Sequence, residues 1–301
     1  MAVNVQRVCR SGDASRGDCK DGRSAYTFGD MNKSLRREFD SVDRTTDPND
    51  FVRYLDTTRA TDFFQQIKQR TLALMDLHAG ESAADVGCGT GEDVRALAAR
   101  VSPGGRTVGV DRSSTMIAMA RQRTGASKSS VEFVQADAQK LPFEDGCFDA
   151  IRAERLLQHT PDADAALGEI VRVAKRGGRI VIWEGDLDLF IIDAQDYDAS
   201  RIMQRFICDS FRNGHIGHRL YKRFLDCGLA DVQSIPLIGQ FTDLALIESA
   251  FDLGACVERA IGQKLLQAER AALWLESLRS ADRAGQFFSA IGGFIAFGRK
   301  N

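Results

Sequence analysis

The segment Asp85-Val86-Gly87-Cys88-Gly89-Thr90-Gly91 constrains this chain more than any other. It follows the short apolar run Ser82 to Val86 and leads into a helix opening at Glu92. Glycines at i, i+2 and i+4 permit a tight strand-to-helix turn and a close approach of a ligand to the backbone. The same rhythm continues downstream. Val94, Leu97, Ala98 and Val101 share one helical face, and Pro103-Gly104-Gly105 stops that helix before the strand Arg106 to Val110. Ser113 or Ser114 caps a helix through Arg123, Val131 to Gln135 reads as a third strand, and Phe148 to Ala153 as a fourth. Thr160 as N-cap with Pro161 at the first helical position opens a helix whose Leu167, Ile170, Val171 and Ala174 share a face. Gly177-Gly178 then turns into the strand Arg179 to Trp183. Strands alternating with helices at this spacing specify parallel crossover units, hence a doubly wound α/β fold with helices on both faces of the sheet.

The alternation breaks after Glu184. Helical stretches at about 197–226 precede a strand near Ala230 to Ile235, and more helix at about 244–280 precedes an apolar stretch, Ile291 to Gly298. These read as inserts at about 188–226 and 243–286 covering the carboxyl edge of the sheet, where such folds bind ligands. Upstream, Phe63, Phe64, Ile67, Leu74, Met75 and Leu77 describe an amphipathic helix ending near Gly80. At 301 residues the chain is twice the prior of about 150 for one domain. The pattern favours a single domain over 81–301, a helical lid over 41–80 and a flexible arm over 1–40.

Charge separates the arm from the body. Residues 1–37 carry a net charge of +4 and the remainder −6, so the total of −2 does not suit a protein that grips a polyphosphate backbone. No apolar run reaches a membrane span and no signal-peptide pattern opens the chain, which points to the cytoplasm. The seven cysteines (Cys9, Cys19, Cys88, Cys147, Cys208, Cys227, Cys256) are scattered and never in CxxC spacing, so neither a disulfide framework nor a zinc site is indicated. Most are expected to be small buried residues. No metal is expected, because the four histidines are dispersed.

The glycine turn differs from a dinucleotide fingerprint: G-x-G-x-G replaces G-x-G-x-x-G, and Asp85 stands two residues before the first glycine. A pyrophosphate is repelled by that carboxylate, whereas a ligand with a cationic α-amine, such as S-adenosylmethionine, is not. Asp85 to Gly91 resembles motif I of the class I S-adenosylmethionine-dependent methyltransferases. Gly109-Val110-Asp111, Gln135-Ala136-Asp137-Ala138 with Leu141-Pro142-Phe143, and Phe148 to Asp162 with Lys175 to Arg179 follow in the family's order. The last of these is similar to the ubiquinone/menaquinone-type small-molecule branch. The resemblance implies a Rossmann-like, seven-stranded, mostly parallel sheet with an antiparallel last strand, and S-adenosyl-L-methionine as cofactor. It further implies that Asp85, Gly87, Cys88, Gly89 and Gly91 cradle the cofactor, Asp111 holds both ribose hydroxyls, and Asp137 with the Ala138 amide holds the adenine. Arg112, Met116 and Glu154 complete that set, and Tyr54 and Arg59 are candidates for its methionine end.

The implied reaction is in-line displacement at the sulfonium methyl by a C, N, O or S nucleophile, with S-adenosyl-L-homocysteine as product. Ala153-Glu154-Arg155-Leu156 stands where base N-methylating enzymes carry D/N-P-P-Y, and neither a Pro-Cys nucleophile nor a double-glutamate hairpin is present. A small-molecule acceptor of specialised metabolism is expected, with no nucleic-acid or membrane partner and a monomer or homodimer as the assembly. His159 and His215 are the candidate bases. His159, Glu184, Asp186, His215, Arg219 and Tyr221 are the candidate acceptor contacts, and Leu244, Ile247, Phe251, Leu253, Val257, Ile261 and Trp274 are candidates for an apolar pocket or for core. The alternative reading is a cyclase or sensor that binds the cofactor without methyl transfer.

Overall fold

The computed structural model describes residues 39, 42–44, 47, 49–125 and 130–301. Most of the expected N-terminal arm, with Cys9 and Cys19, lies outside the described residues. The described part opens with a short 3-10 turn, Val42–Arg44, followed by α1 (Asn49–Arg59) and α2 (Asp62–Leu74). The alternating region is β1 (Ser82–Val86), α3 (Glu92–Val101), β2 (Arg106–Asp111), α4 (Ser114–Thr124), β3 (Val131–Gln135), β4 (Phe148–Glu154), α5 (Ala163–Val173) and β5 (Ala174–Ile192). After it come α6 (Tyr197–Asp209), α7 (Ile216–Asp226), β6 (Leu229–Phe241), α8 (Leu244–Phe251), α9 (Leu253–Gly262), α10 (Ala268–Arg283) and β7 (Ser289–Lys300). Among the described residues, no helix is long and apolar enough to cross a membrane.

The sheet has seven strands in the order β3-β2-β1-β4-β5-β7-β6. β1 to β5 run parallel, and β7 inserts antiparallel between β5 and β6. The doubly wound sheet with its antiparallel last strand is therefore as the sequence implied. Alternation along β5 divides the core between the two faces: Val181 and Trp183 pack with α2, α3 and α6, while Ile180 and Ile182 pack with α5 and α7.

Several boundaries differ from the sequence reading. β5 continues beyond Trp183 to Ile192, because Ile191 and Ile192 still pair with Ala290 and Ser289 of β7. The cap of α5 is Asp162, whose side chain accepts from Ala165 N at 2.9 Å, rather than Thr160, whose hydroxyl donates to Leu156 O. Asp162 wins because an Asx side chain reaches the amide three residues on and satisfies an otherwise orphaned donor. Ser113 caps α4. The carboxylate of Asp43 reinforces that end, accepting from Ser113 Oγ (2.6 Å), Ser114 N (2.7 Å) and Thr115 N (3.1 Å), which ties the N-terminal turn to the α4 N-terminus.

Candidate functional site

The strand order reverses at β1, whose neighbours are β2 and β4, and a crevice opens at the carboxyl ends of these strands. One cavity occupies it and continues beneath α1, α2 and α8. Its first part is lined by Gly87 and Gly89 after β1, Asp111 and Arg112 at the end of β2, Met116 of α4, Ala136, Asp137 and Ala138 after β3, and Glu154 of β4. Its second part is apolar, walled by Phe64, Trp183, Leu187, Phe211, Phe241, Leu246, Ile247, Ala250, Phe251 and Ile291. Tyr54, Arg155, Gln158 and His159 stand along the passage between them.

The glycine turn is built as its residues require. Gly87, Gly89 and Gly91 all have positive φ, at 80°, 50° and 74°. A Cβ on Gly91 would stand 2.7 Å from the Phe133 ring, so this glycine sets the close packing of the turn on β3 and is not among the lining residues. Cys88 is buried beside Gly109 and likewise points away. Asp111 anchors the turn: its carboxylate accepts from Gly89 N and from Ser113 N, each at 2.9 Å. Burial pushes this carboxyl upward against the pull of the two amides. Asp137 accepts from Gln139 N at 2.9 Å, and against the upward pull of burial the Gln139 contacts hold it below the usual carboxylate range.

Asp85, expected at the cofactor amine, does not line the cavity. The β1–β4 register places it opposite Arg152, and its Oδ1 lies 3.3 Å from Arg152 Nη1. Arg152, 1% exposed, also bonds Asp93 (2.8 Å) and Glu154 (2.6 Å), and Lys68 of α2 bonds Asp93 and Glu154. This buried network ties α2, α3, β1 and β4 together, with Glu154 as the member that reaches the cavity. Burial pushes Asp85 upward, whereas Arg152 and Lys68 overcome the same effect at Asp93 and hold it well below its usual range.

Tyr54 lines the passage and its hydroxyl lies 3.5 Å from Arg155 Nη1. Arg59 instead bonds Glu92 at 3.0 Å and leaves the cavity. His159 faces the cavity between Phe39 (ring centroids 5.2 Å apart) and Phe211 (6.3 Å), with Gln158 Nε2 at 2.8 Å from its Nε2. Glu184 is wholly buried and accepts from the backbone of Leu156 (2.8 Å), Leu157 (2.6 Å) and Gln158 (3.3 Å); it holds the loop that carries His159 rather than meeting a ligand. Burial pushes its carboxyl up to about 8 against those three donors. Asp186, His215, Arg219 and Tyr221 lie outside the cavity because alternation on β5 turns Leu187 inward and Asp186 outward, and the start of α7 packs on that outer side.

Of the proposed apolar wall, Ile247 and Phe251 line the cavity, whereas Leu244, Leu253, Val257 and Trp274 are buried in the core. Sequence reasoning missed Arg155, Phe64, Trp183, Leu187, Phe211, Phe241, Leu246, Ala250 and Ile291. Only Arg155 carried a local signal, its place directly after β4; it adopts φ 52° and its guanidinium lies 4.6 Å over the Phe64 ring.

Fold and crevice define a Rossmann-like nucleoside-binding protein with acids ending β2 and following β3. A methyltransferase-domain family model matches residues 84–182. Over 243 residues, 80% of this chain and 69% of the relative, the chain is 40% identical to an uncharacterized 37.1 kDa protein in transposon TN4556 of Streptomyces fradiae. Demethylmenaquinone methyltransferase of Shouchella clausii is 39% identical over 118 residues, 39% of this chain and 50% of that enzyme, so the match spans about half of its length. The fold superimposes on the YcgJ protein of Bacillus subtilis with a TM-score of 0.55 and 19% identity, over 79% of this chain and 99% of that one. The chain belongs to the class I S-adenosylmethionine-dependent methyltransferases, and S-adenosylmethionine is its cofactor. The residues present fit that ligand: two lining glycines leave the backbone bare, and Asp111 offers a charged acceptor at the crevice.

Proposed function

We propose that this protein transfers a methyl group from S-adenosylmethionine to a small, largely apolar acceptor. One observation carries the reading: the crevice flanked by Asp111 and Asp137 runs without a break into the chamber walled by Phe64, Trp183, Phe211, Phe241, Ile247 and Phe251. Bound there, the cofactor supplies a sulfonium-activated methyl. Asp111 accepts from the ribose hydroxyls, Asp137 and the Ala138 amide frame the adenine, and Glu154 is the carboxylate presented toward the α-amine. The aromatic walls orient the acceptor and exclude water, which is what an in-line displacement demands of a protein. His159, whose Nε2 accepts from the Gln158 amide, is the imidazole on the passage, and it takes a proton from a protonated nucleophile once that amide releases its lone pair. Relatives named for demethylmenaquinone support an acceptor of the quinone-precursor kind.

The test incubates the protein with methyl-labelled cofactor and fractionated cell extracts. Label is expected in organic-extractable small molecules, and Ala250→Trp, which fills the chamber, should lower that transfer at least tenfold while S-adenosylhomocysteine affinity stays within about twofold. Tight cofactor binding with no labelled product across the fractions, or label confined to polar acceptors, overturns the reading.

A further inference from the structure

We propose a second site on the outer side of β5, in which Asp188, Cys208 and His215 hold a zinc-class divalent ion. The three residues come from β5, α6 and the loop before α7. Cys208 Sγ lies 3.4 Å from His215 Nδ1 and 3.7 Å from Asp188 Oδ1, and His215 Nδ1 lies 3.1 Å from Asp188 Oδ2. Ligand bonds of about 2.0–2.3 Å in tetrahedral array put donor atoms about 3.3–3.8 Å apart, so the sulfur, the imidazole nitrogen and one or other carboxylate oxygen already stand close to the edges of such a tetrahedron. A thiolate, an imidazole and a carboxylate together select a borderline-soft ion over magnesium or calcium.

The backbone is shaped to bring these groups together. A Cβ on Gly214 would fall 2.4 Å from Cys208 O and 3.0 Å from its sulfur, and one on Gly217 would fall 2.8 Å from Asp186 Cβ. Glycines on both sides of His215 thus let the loop lie directly on α6 and β5. His218 adds a second imidazole, its Nδ1 held at 2.6 Å by the buried Asp186, and Asp186, Asp188 and His218 form a donor group sharing Asp188 with the first. Among the described residues, neither Asp186 nor Asp188 pairs with a lysine or arginine. Nearby Asp209 adds a third carboxylate, paired with Arg205 at 3.5 Å and 3.8 Å from His215 Nε2. Two acids without a fixed cation, beside a thiol and two imidazoles, make a pocket that a divalent ion completes. Asp188 and His215 are partly open to solvent, which gives the ion a route in and leaves a fourth position for water or His218. The placement has a structural consequence. Leu187 sits between the two aspartates and Phe211 between Cys208 and His215, so an ion here clamps two wall residues of the cavity.

The test titrates the full-length, chelator-treated protein with cobalt(II) chloride. One equivalent is expected to bind with a thiolate charge-transfer band and intense tetrahedral d–d bands, and zinc(II) chloride should bleach both by displacement. Cys208→Ser should abolish the charge-transfer band, His215→Ala should weaken cobalt binding at least tenfold, and His218→Ala by about tenfold. In the wild-type protein, equilibrium dialysis against zinc(II) chloride should retain one equivalent per chain, read by atomic absorption, which needs no variant to fold. Absence of a thiolate band at stoichiometric cobalt, its persistence in Cys208→Ser, or no zinc retained by the wild-type protein on dialysis would overturn the site.

Discussion

Replacing Asp111 separates the turn contacts of this carboxylate from the ribose contact proposed for it. It accepts from Gly89 N and Ser113 N at 2.9 Å, and it lines the cavity where the ribose is proposed to bind. Asp111→Ala orphans two amides at about 1–3 kcal/mol each. Asp111 is only partly buried, so water recovers some of that, and a stability loss of about 2–3 kcal/mol is expected. Asp111→Asn keeps one acceptor and should lose about half as much. Both variants remove the charged acceptor for the ribose hydroxyls, a charge-assisted contact of about 1.5–3 kcal/mol, equivalent to about 10- to 100-fold in Kd. Isothermal titration with S-adenosylhomocysteine measures the affinity, and urea unfolding of the same samples measures the stability. Affinity within twofold of wild type in both folded variants would refute the ribose assignment. An affinity loss that tracks stability alone, larger in Ala than in Asn by the folded fraction, would refute the direct contact.

Three further outcomes follow from the buried groups. Arg152→Met leaves Asp85 without its cation while Lys68 still serves Asp93 and Glu154; urea unfolding at pH 8 should show a loss of about 3–5 kcal/mol, partly regained at lower pH as Asp85 takes a proton, and a loss below 1 kcal/mol would contradict the network's role. Glu184 has its folded-state pKa raised to about 8, above that of the unfolded chain, so the stability it contributes is complete below about pH 4.5 and is lost as pH rises through 8. Glu184→Gln should flatten that slope, and Tm profiles of the two proteins that stay parallel between pH 5 and 8.5 would count against it. Gly91→Ala, at φ 74° and with its Cβ 2.7 Å from Phe133, should cost about 1–3 kcal/mol in urea unfolding; a neutral effect would mean the turn is not packed as described.

The strand-end half of the cavity was legible because its lining residues are tied to local structure. Gly87, Gly89, Asp111 and Asp137 each sit at or just after a strand end, and strand ends are set by short-range pattern. What surrounds them depends on register and crossing. Asp85 faces Arg152 only because β1 lies beside β4 with that residue pairing, and nothing near Asp85 in sequence announces it. Glu184 follows the last legible strand residue, yet its carboxylate turns to three amides of the preceding crossover. The apolar chamber was the least legible part. Phe64, Trp183, Phe241, Leu246 and Ile291 come from five elements between α2 and β7, and each looks like ordinary core in its own segment. The histidine pair at 215 and 218 shows the same limit: its partners, Asp186, Asp188 and Cys208, lie on other elements.

A crystal structure with S-adenosylhomocysteine would locate the nucleoside and the sulfur. The ribose hydroxyls are expected on Asp111, the adenine between Asp137 and Ala138, and the sulfur turned toward the chamber of Phe64, Trp183 and Phe251. A nucleoside bound elsewhere, or a sulfur turned away from that chamber, would contradict the proposed function.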